Sequence, residues 1–335
     1  MSRPRVAIVC PREFDFTDAE ASVERPILED VADVETVWLG FRDPLPAAVL
    51  DAHAVILWHG LRVDRLTIAG FRQCRAIIRN GVGYDTVDLD AATKSGIAVC
   101  NVPDYGTEEV ADSALGMAVC LARGTHFLNS RLRRGLGAWN VDQATPIHRL
   151  RGRVFGIVGC GRIGSAAALR AKAFGFDVVF FDPFVPDGLD KALGVRRVDT
   201  LEELLAASHI ISAHCPLTPK TRGLLGAREI ARMPRGSFLV NTARGGVVDT
   251  TAVVEALASG HLAGAGIDVL EQEPPPPESP VLRAWRDPNH PAHDRLLLNP
   301  HTAFYCEEGC VEFRTKAARE VLRALRGEPL RNVVN

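Results

Sequence analysis

A glycine-rich turn between two apolar segments is the feature that most constrains how this chain can fold. The apolar segment Val154–Val158 leads through Gly159-x-Gly161-x-x-Gly164 and an alanine-rich stretch to a second apolar segment, which ends at Asp182. This order is typical of a strand, a tight turn, a helix and a second parallel strand. An isolated G-x-G-x-x-G motif can be an ordinary loop, but the complete context here predicts a dinucleotide-binding βαβ unit.

Each glycine of the turn has a separate expected role. Gly159 permits a tight turn, Gly161 lets the backbone approach a pyrophosphate, and Gly164 lets the helix lie close to the sheet. The pyrophosphate would be bound by unpaired N–H groups at the start of the helix, where the helix dipole favours an anion.

The acidic residue at the end of the second strand indicates which dinucleotide is bound. Asp182 follows Gly164 by eighteen residues, and a carboxylate at this position can accept hydrogen bonds from both hydroxyls of a ribose. Pro183 follows, and no lysine or arginine occurs before Lys191. We therefore expect no nearby group that would bind a 2′-phosphate, and we predict NAD rather than NADP.

The length and charge of the chain are those of an ordinary globular protein. Its 335 residues suggest two domains. A formal net charge of −2 gives no global electrostatic case for binding nucleic acid or an anionic membrane. The N-terminal apolar run is too short for a signal peptide and no run approaches a membrane span, so we expect a cytoplasmic protein.

Short apolar segments alternate with helical or polar ones, which is typical of βαβ units and parallel sheets. Before the glycine-rich turn these segments are Val6–Val9, Val34–Trp38, Ala54–Trp58, Ala76–Ile78 and Ile97–Val99. From the turn onwards they are Val154–Val158, Val178–Phe181, Ile210–Ala213, Ser237–Asn241, Gly264–Val269 and Leu296–Leu298. Six strands after the motif fit a complete doubly wound sheet.

Two long helices and one long loop are predicted outside these strands. Thr107 followed by two glutamates is a typical helix start, and we predict a helix over Thr107–Arg123. An amphipathic helix is predicted over Glu307–Arg326 and would return the chain to the first unit. The polar, proline-rich residues 273–293 predict a surface loop.

Two smaller clusters have a structural and a functional interpretation. Arg131, Arg133 and Arg134 precede Trp139 and form either a solvated face or a contact with a partner or second subunit. Cys306 and Cys310 are the closest pair among eight scattered cysteines. A metal site near them is conceivable, but no second close pair completes a tetrahedral set, so we predict no metal.

Three elements at strand ends carry residues that could perform chemistry. Arg244 follows a strand and offers a guanidinium fork to a carboxylate, although it could also bridge surface acids. Asp268 and Glu273 follow the next strand and could equally be two solvated acids. His301 follows a strand and Pro300, and a single histidine is more often structural than catalytic.

Considered together, these residues favour hydride transfer to a carbonyl group. That reaction needs a proton donor, a carboxylate that orients it and a cation that binds an acidic substrate. His301, Glu273 and Arg244 are the residue types that supply these three functions. A nicotinamide ring supplies the hydride.

At this point the chain resembles the D-isomer-specific 2-hydroxyacid dehydrogenases. The resemblance rests on ordered motifs, namely Gly159-x-Gly161-x-x-Gly164, Asn241-Thr-Ala-Arg244-Gly, Asp268-Val-x-x-x-Glu273-Pro and Pro300-His301. Three further stretches are similar to the carboxy-terminal binding protein (CtBP) branch, namely Gly96–Pro103, Leu169–Phe176 and Asp187–Gly194. The resemblance extends from about Val55 to Asn332.

The resemblance implies an α/β fold of two doubly wound parallel-sheet domains. A Rossmann NAD domain at residues 104–301 would be inserted into a flavodoxin-like substrate domain made of residues 1–103 and 302–335. It also implies a homodimer formed through the NAD domain.

The resemblance further implies roles for individual residues. His301 would be the acid/base, Glu273 its partner, and Arg244 the clamp for the substrate's carboxylate and carbonyl. The residues implied to bind NAD are Gly159, Gly161, Arg162, Ile163, Gly164, Asp182, Cys215, Pro216, Thr221, Thr242, Ala243, Asp268 and His301. The residues implied to bind the substrate are His59, Arg79, Val82, Gly83 and Arg244.

Two departures from the CtBP branch concern substrate choice. Phe304, followed by Tyr305, stands where that branch has a tryptophan three residues after the histidine, so the preferred side chain can differ. Val82 replaces a serine of that branch, which removes one hydroxyl.

The sequence therefore predicts an NAD-dependent D-2-hydroxyacid dehydrogenase acting on a small 2-oxo or 2-hydroxy acid. The alternative from another class is a CtBP-like NAD(H)-sensing binding protein with weak activity. A formate dehydrogenase is disfavoured, because enzymes of that kind in this superfamily have glutamine where Glu273 stands.

Overall fold

The computed structural model describes residues 3–12, 20–144 and 146–335, which fall into two compact units. The first unit comprises both ends of the chain, Met1–Gly106 and Tyr305–Asn335, and the second is continuous over Thr107–Phe304. In sequence, the second unit is therefore an insertion in the first. Each unit is built on one parallel sheet.

The first unit contains a five-stranded sheet. Its strands are β1 (Arg5–Pro11), β2 (Asp33–Leu39), β3 (Ala54–Leu57), β4 (Ala76–Arg79) and β5 (Ala98–Asn101). Its helices are α1 (Arg25–Leu28), α2 (Ala47–Leu50), α3 (Arg65–Gly70), α4 (Leu89–Lys94) and, at the end of the chain, α13 (Glu307–Arg326). The strand order β2-β1-β3-β4-β5, with Val6 paired to both Val34 and Ala54, is the flavodoxin-like order.

The core of the first unit lies on both faces of this sheet. Strands β3 and β4 are buried along their whole length, as expected for central strands of a parallel sheet. Helix α13 packs against both strands, and Phe313, Ala317 and Val321 are among its buried residues. Its apolar positions recur every three to four residues, so they form one face of the helix.

The second unit contains a seven-stranded sheet. Its strands are β6 (Val154–Val158), β7 (Asp177–Phe181), β8 (Arg196–Arg197), β9 (Ile210–Ala213), β10 (Ser237–Asn241), β11 (Leu262–Ile267) and β12 (Leu296–Leu298). The strand order is β12-β11-β10-β9-β6-β7-β8, and all pairs are parallel. Strands β6 to β11 have the Rossmann order, in which the order of the strands reverses beside β6.

Helices cover this second sheet. They are α5 (Thr107–Arg123), α6 (Thr125–Arg133), α7 (Arg162–Ala173), α8 (Leu189–Leu193), α9 (Leu201–Ala207), α10 (Ala227–Ile230), α11 (Thr250–Ala258) and α12 (Pro280–Arg286). Short 3-10 helices span Val141–Ala144, Gly245–Val247 and His293–Arg295. Within the described ranges, no helix is both long enough and apolar enough to cross a membrane.

The two sheet orders confirm the predicted fold class. The helices predicted over Thr107–Arg123 and Glu307–Arg326 are also confirmed. The prediction of six strands in the second sheet is wrong, because β8 adds a seventh. This strand has two residues, both arginine, and so carries no apolar pattern. The interpretation of residues 273–293 as a loop is also incomplete, because they include α12, which buries Val281 and Leu282.

Candidate active site

The glycine-rich turn connects β6 to α7, and its three glycines meet different surroundings. At Gly159, φ is +89°, and a Cβ there would lie 2.8 Å from the backbone nitrogen of Cys215. At Gly164, a Cβ would lie 2.1 Å from the carbonyl oxygen of Gly159. At Gly161, which caps α7, φ is −73° and a Cβ would meet no atom within 4 Å. The space beside the helix start is therefore open, as a bound pyrophosphate requires.

The carboxylate of Asp182 is held at the end of β7 by two backbone groups. Its Oδ2 atom accepts from the N–H of Cys160 and its Oδ1 atom accepts from the N–H of Phe184, both at 2.8 Å. Each oxygen keeps a lone pair with which it can accept a further hydrogen bond. A fixed acceptor pair of this kind fits the two hydroxyls of a ribose, so the residues present fit NAD.

The expectation that no basic group lies near Asp182 is wrong. Arg197, on the unpredicted strand β8, donates from Nη2 to the carbonyl oxygen of Asp182 at 2.8 Å. Its Nη1 atom is 3.2 Å from Oδ1 of Asp187. Parallel pairing of β7 with β8 brings Arg197 to this position, fifteen residues after Asp182 in the sequence.

Other predicted cofactor residues surround the same edge of the sheet. Arg162 and Ile163 are the first two residues of α7, and Cys215 follows β9 and is buried against Gly159. The hydroxyl oxygen of Thr242 is buried and has no hydrogen-bond partner within the described residues. An unsatisfied buried hydroxyl is costly, so this atom is a reasonable contact for a bound ligand.

The hydroxyl of Thr221 has a structural role. It donates to the carbonyl oxygen of Pro216 at 2.6 Å and accepts from the N–H of Thr218 at 2.8 Å. These bonds stabilise the turn that follows β9. The predicted contact of Thr221 and Pro216 with the cofactor stays a prediction.

His214 is a buried histidine at the end of β9 to which the sequence assigned no separate role. Its Nε2 atom lies 2.9 Å from the hydroxyl oxygen of Ser212, and its Nδ1 atom is buried with no partner in the described part of the chain. Burial lowers the pKa of His214 to about 4. The ring is therefore neutral near pH 7.

The loop that presents Arg244 is braced by Asn241, a residue for which the sequence suggested no function of its own. The fully buried side chain of Asn241 donates from Nδ2 to the carbonyl oxygen of Arg244 at 3.0 Å. Its Oδ1 atom accepts from the N–H of Ala243 at 3.1 Å. The guanidinium of Arg244 in turn donates to the carbonyl oxygen of Ala243 at 2.8 Å. The amide therefore fixes the backbone from which the guanidinium projects.

Gly245 brings this loop into contact with the segment after β11. A Cβ at Gly245 would lie 1.9 Å from the carbonyl carbon of Leu270. Only glycine permits this approach, so the loop of Arg244 packs directly on the segment that leads to Glu273.

The structure brings Glu273 and His301 together. Oε2 of Glu273 is 2.6 Å from Nδ1 of His301, and its Oε1 atom accepts from the N–H of Leu270 at 2.7 Å. A carboxylate at Nδ1 fixes the proton on that nitrogen and orients the ring. Nε2, on the opposite side of the ring, is then the atom that can exchange a proton with a substrate.

Asp268 fixes the turn that contains His301. Its carboxylate, 2% exposed, accepts from the N–H groups of Thr302 and Ala303, and its carbonyl oxygen accepts from the N–H of His301 at 2.8 Å. Burial raises the pKa of Asp268, and these N–H groups and the nearby His301 oppose that effect. His301 has φ of +55°, which non-glycine residues rarely adopt, so these bonds hold a strained residue in place. The predicted contact of Asp268 with NAD stays a prediction.

Phe304 packs against the histidine. The two ring centroids are 6.0 Å apart and the rings meet edge to face at 84°. Phe304, which stands where the CtBP branch has a tryptophan, is therefore a direct neighbour of His301.

In the first unit, two of the predicted substrate residues contact each other. Nη2 of Arg79 lies 2.8 Å from Nδ1 of His59. The guanidinium of Arg79 is buried and also donates to the carbonyl oxygens of Leu57 and Asn80. These bonds hold its charge at the carboxyl end of β4, where parallel sheets bind ligands.

The other two predicted substrate residues lie in the loop after β4. Gly81 has φ of +142°, and its N–H donates to the carbonyl oxygen of Arg79 at 2.9 Å. The N–H groups of Val82 and Gly83 donate to no acceptor among the described residues, whereas the carbonyl oxygen of Val82 accepts from Asn101. The loop thus has a fixed conformation with two N–H groups that can bind an anion.

Comparisons with known proteins show which family the chain is similar to. A family model described as "D-isomer specific 2-hydroxyacid dehydrogenase, NAD binding domain" matches residues 115–303. The chain is 36% identical over 333 residues to C-terminal-binding protein 1 of Caenorhabditis elegans, covering 97% of this chain and 44% of the relative. It is 36% identical over 309 residues to D-3-phosphoglycerate dehydrogenase of Methanocaldococcus jannaschii, covering 92% of this chain and 56% of the relative. The chain thus spans about half the length of these curated relatives.

Similarity to a solved structure extends over the whole chain. The glyoxylate reductase from Paecilomyes thermophila matches with a TM-score of 0.84 and 29% identity. The match covers 100% of this chain and 99% of that protein.

Proposed function

The chain belongs to the family of D-isomer-specific 2-hydroxyacid dehydrogenases, and we propose that it interconverts a small 2-oxo acid and the D-2-hydroxy acid. NAD is the cofactor, since residues 115–303 match the family's NAD binding domain. The observation that carries the proposal is the contact between Nδ1 of His301 and the carboxylate of Glu273.

The second unit supplies the groups that would hold NAD. The N-terminus of α7 beside Gly161 would bind the pyrophosphate, and Asp182 would bind the adenosine ribose. When bound, the nicotinamide ring donates a hydride to C2 of the oxo acid or accepts one from the hydroxy acid. Thr242 would satisfy its buried hydroxyl against the cofactor.

His301 would act as the acid/base. In the reductive direction its Nε2 atom donates a proton to the keto oxygen, and in the oxidative direction it removes the hydroxyl proton. Glu273 keeps the proton of Nδ1 in place and stabilises the positive charge of the ring. Asp268 fixes the backbone of the turn that carries the His301 ring, and Phe304 packs edge to face against that ring.

The substrate's carboxylate and carbonyl would be bound by cations and by N–H groups. Arg244 supplies a guanidinium on a loop that Asn241 keeps in shape. Four residues of the first unit are proposed as further substrate contacts, by similarity to the CtBP branch and by their position at or after the ends of β3 and β4, namely His59, Arg79, Val82 and Gly83. We also propose that the protein is cytoplasmic and forms a homodimer through its NAD domain. Light scattering would test whether the protein is a dimer.

A second candidate function is favoured by one of the relatives. C-terminal-binding protein 1 of Caenorhabditis elegans matches 97% of this chain. In this alternative the chain would be an NAD(H)-sensing binding protein, and its turnover would be slow.

A panel of 2-oxo acids, assayed with NADH and with NADPH, distinguishes the two candidates. The reaction is measured as the loss of absorbance of the reduced nucleotide. We expect the chain to consume NADH with at least one unbranched or thioether-bearing 2-oxo acid. Tight binding of NADH without turnover on any oxo acid would contradict the enzymatic proposal and favour the alternative.

A further inference from the structure

Arg197 places a positive charge at the adenosine end of the cofactor site. Its guanidinium donates to the backbone oxygen of Asp182 at 2.8 Å, and it lies 6.0 Å from the ring centroid of Phe180. These contacts come from pairing of β7 with β8 and hold the guanidinium beside the residue expected to bind the ribose. The side chain is 24% exposed, so the charge faces a boundary between protein and solvent.

Most of the hydrogen-bonding capacity of Arg197 is unused by the described residues. A guanidinium has five N–H donors, and Arg197 uses one for the oxygen of Asp182 and one for Asp187. Asp187 is fully exposed, so this ion pair is weak and is easily exchanged for another anion. Arg197 can therefore turn donors towards a phosphate without breaking a buried contact.

Asp182 opposes such a phosphate. Its carboxylate is fixed by the N–H groups of Cys160 and Phe184 and cannot easily move away. A 2′-phosphate on the ribose would meet this negative charge and would also lose the hydroxyl that the carboxylate binds. Repulsion by Asp182 and attraction by Arg197 thus act on the same group.

We propose that Arg197 is a latent 2′-phosphate-binding residue, whose attraction for a 2′-phosphate is masked by the carboxylate of Asp182. The inference rests on the assignment of NAD as cofactor and is independent of which oxo acid is reduced. Removing the charge of Asp182 leaves a site that already contains the cation needed for NADP.

The test is a double-mutant cycle read out by nucleotide binding. The dissociation constants of NADH and NADPH are measured by nucleotide fluorescence for the unaltered protein, Asp182→Ser, Arg197→Gln and the double variant. Because the readout is binding, the test is valid even if no substrate is turned over. The phosphate is isolated by comparing displacement of the reduced nucleotide by 2′,5′-ADP and by 5′-AMP.

We expect Asp182→Ser to weaken the binding of NADH. It should tighten the binding of NADPH by about tenfold or more, because a charge-assisted hydrogen bond replaces a repulsion. The double variant should lose this gain, so that NADPH binds about as weakly as to the unaltered protein. The gain should also shrink as salt is raised, because an exposed ionic contact is screened.

Two further variants provide controls. Arg196 is the other residue of β8 and is exposed, so Arg196→Gln in the Asp182→Ser background should keep the gain in NADPH affinity. Asp187→Asn in the same background removes the ion-pair partner of Arg197 and should increase the gain. The asparagine variant Asp182→Asn repeats the test with a side chain of the same shape, should serine disturb the turn.

The proposal would be overturned if the double variant gained NADPH affinity as much as Asp182→Ser does. It would also be overturned if Asp182→Ser and Asp182→Asn, both folded by thermal unfolding, gained no affinity for NADPH or 2′,5′-ADP. If Arg196→Gln and Arg197→Gln lost the same NADPH affinity in the Asp182→Ser background, the effect would be one of net charge and not of a specific contact.

Discussion

The Nδ1 atom of His301 lies 2.6 Å from Oε2 of Glu273, although 28 residues separate them in the sequence. Parallel pairing of β11 with β12 places the ends of both strands at the same edge of the sheet, and each residue follows one of these strands. The pair is therefore a consequence of sheet topology. Its chemistry can be tested one residue at a time.

Replacing His301 by alanine should reduce turnover by a factor on the order of 10² or more, because the reaction loses its proton donor. Steady-state oxidation of NADH with the best oxo acid measures this effect. Replacing the exposed His148 by alanine is the matched control and should leave turnover unchanged. Comparable loss in both variants would show that His301 has no special role.

Replacing Glu273 by glutamine should reduce turnover by at least about tenfold, because the amide has no charge and can present an N–H to Nδ1. The measurement is the maximal rate at saturating oxo acid and NADH. Glu271 is exposed two residues earlier and provides the control Glu271→Gln. If the Glu273 variant kept full activity, the carboxylate would not be needed to orient or charge the imidazole.

Replacing Arg244 by lysine should lower kcat/KM for the oxo acid by about 10- to 100-fold, because an ammonium group cannot form a bidentate fork with the substrate. Arg228 is an exposed arginine of the same unit, with a side chain 78% exposed, and Arg228→Lys should have no effect. A loss confined to NADH affinity would instead place Arg244 at the cofactor.

Two glycines of the turn should separate ligand binding from folding. Gly161→Ala should change the free energy of unfolding by less than about 0.5 kcal/mol, since its Cβ meets no protein atom, yet weaken NADH about tenfold. Gly164→Ala should destabilise the protein by about 1–3 kcal/mol, because its Cβ would overlap the oxygen of Gly159. Denaturant unfolding and NADH titration measure the two effects. Normal NADH affinity in Gly161→Ala would argue against pyrophosphate at this helix start.

His214 should make stability depend on pH in the acid range. Its pKa is about 4 in the folded protein and near 6.5 when exposed, so the unfolded chain binds more protons between these values. Stability should therefore fall as pH is lowered from 6.5 towards 4, with this residue contributing at most about 1.4 kcal/mol per pH unit. Denaturant unfolding at several pH values should show a shallower slope for His214→Gln. The exposed His148→Gln should retain the slope of the unaltered protein, and parallel slopes in all three would contradict the assignment.

The parts of the fold that follow from local patterns could be predicted from the sequence. Strand β6 and helix α5 have the predicted bounds, because an apolar run marks the strand and a threonine followed by two glutamates marks the start of the helix. Strand β8 carries no such pattern, since it consists of two arginines that pair with β7. Helix α12 was missed because prolines dominate the residues around it.

Within the candidate site, residue types were predictable and their contacts were less so. Arg244, Glu273 and His301 stand at strand ends, where the fold places ligands, and the sequence shows this directly. Arg197 was missed because its contact with Asp182 depends on an unpredicted strand. The side chain of Asn241 braces the loop of Arg244. The one signal for this in the sequence was an apolar strand that ends in Asn241, shortly before an arginine.

The two outermost strands of the seven-stranded sheet have a consequence for behaviour at high concentration. β8 has two residues and β12 has three, so each edge exposes few backbone groups with which a strand of another molecule could pair. The adjacent arginines of β8 add like charge where two such edges would meet. Replacing both by valine would create an apolar, uncharged border, and we expect that form to aggregate. We therefore expect Arg197, the proposed 2′-phosphate-binding residue, to have a second role in discouraging edge-to-edge growth of the sheet.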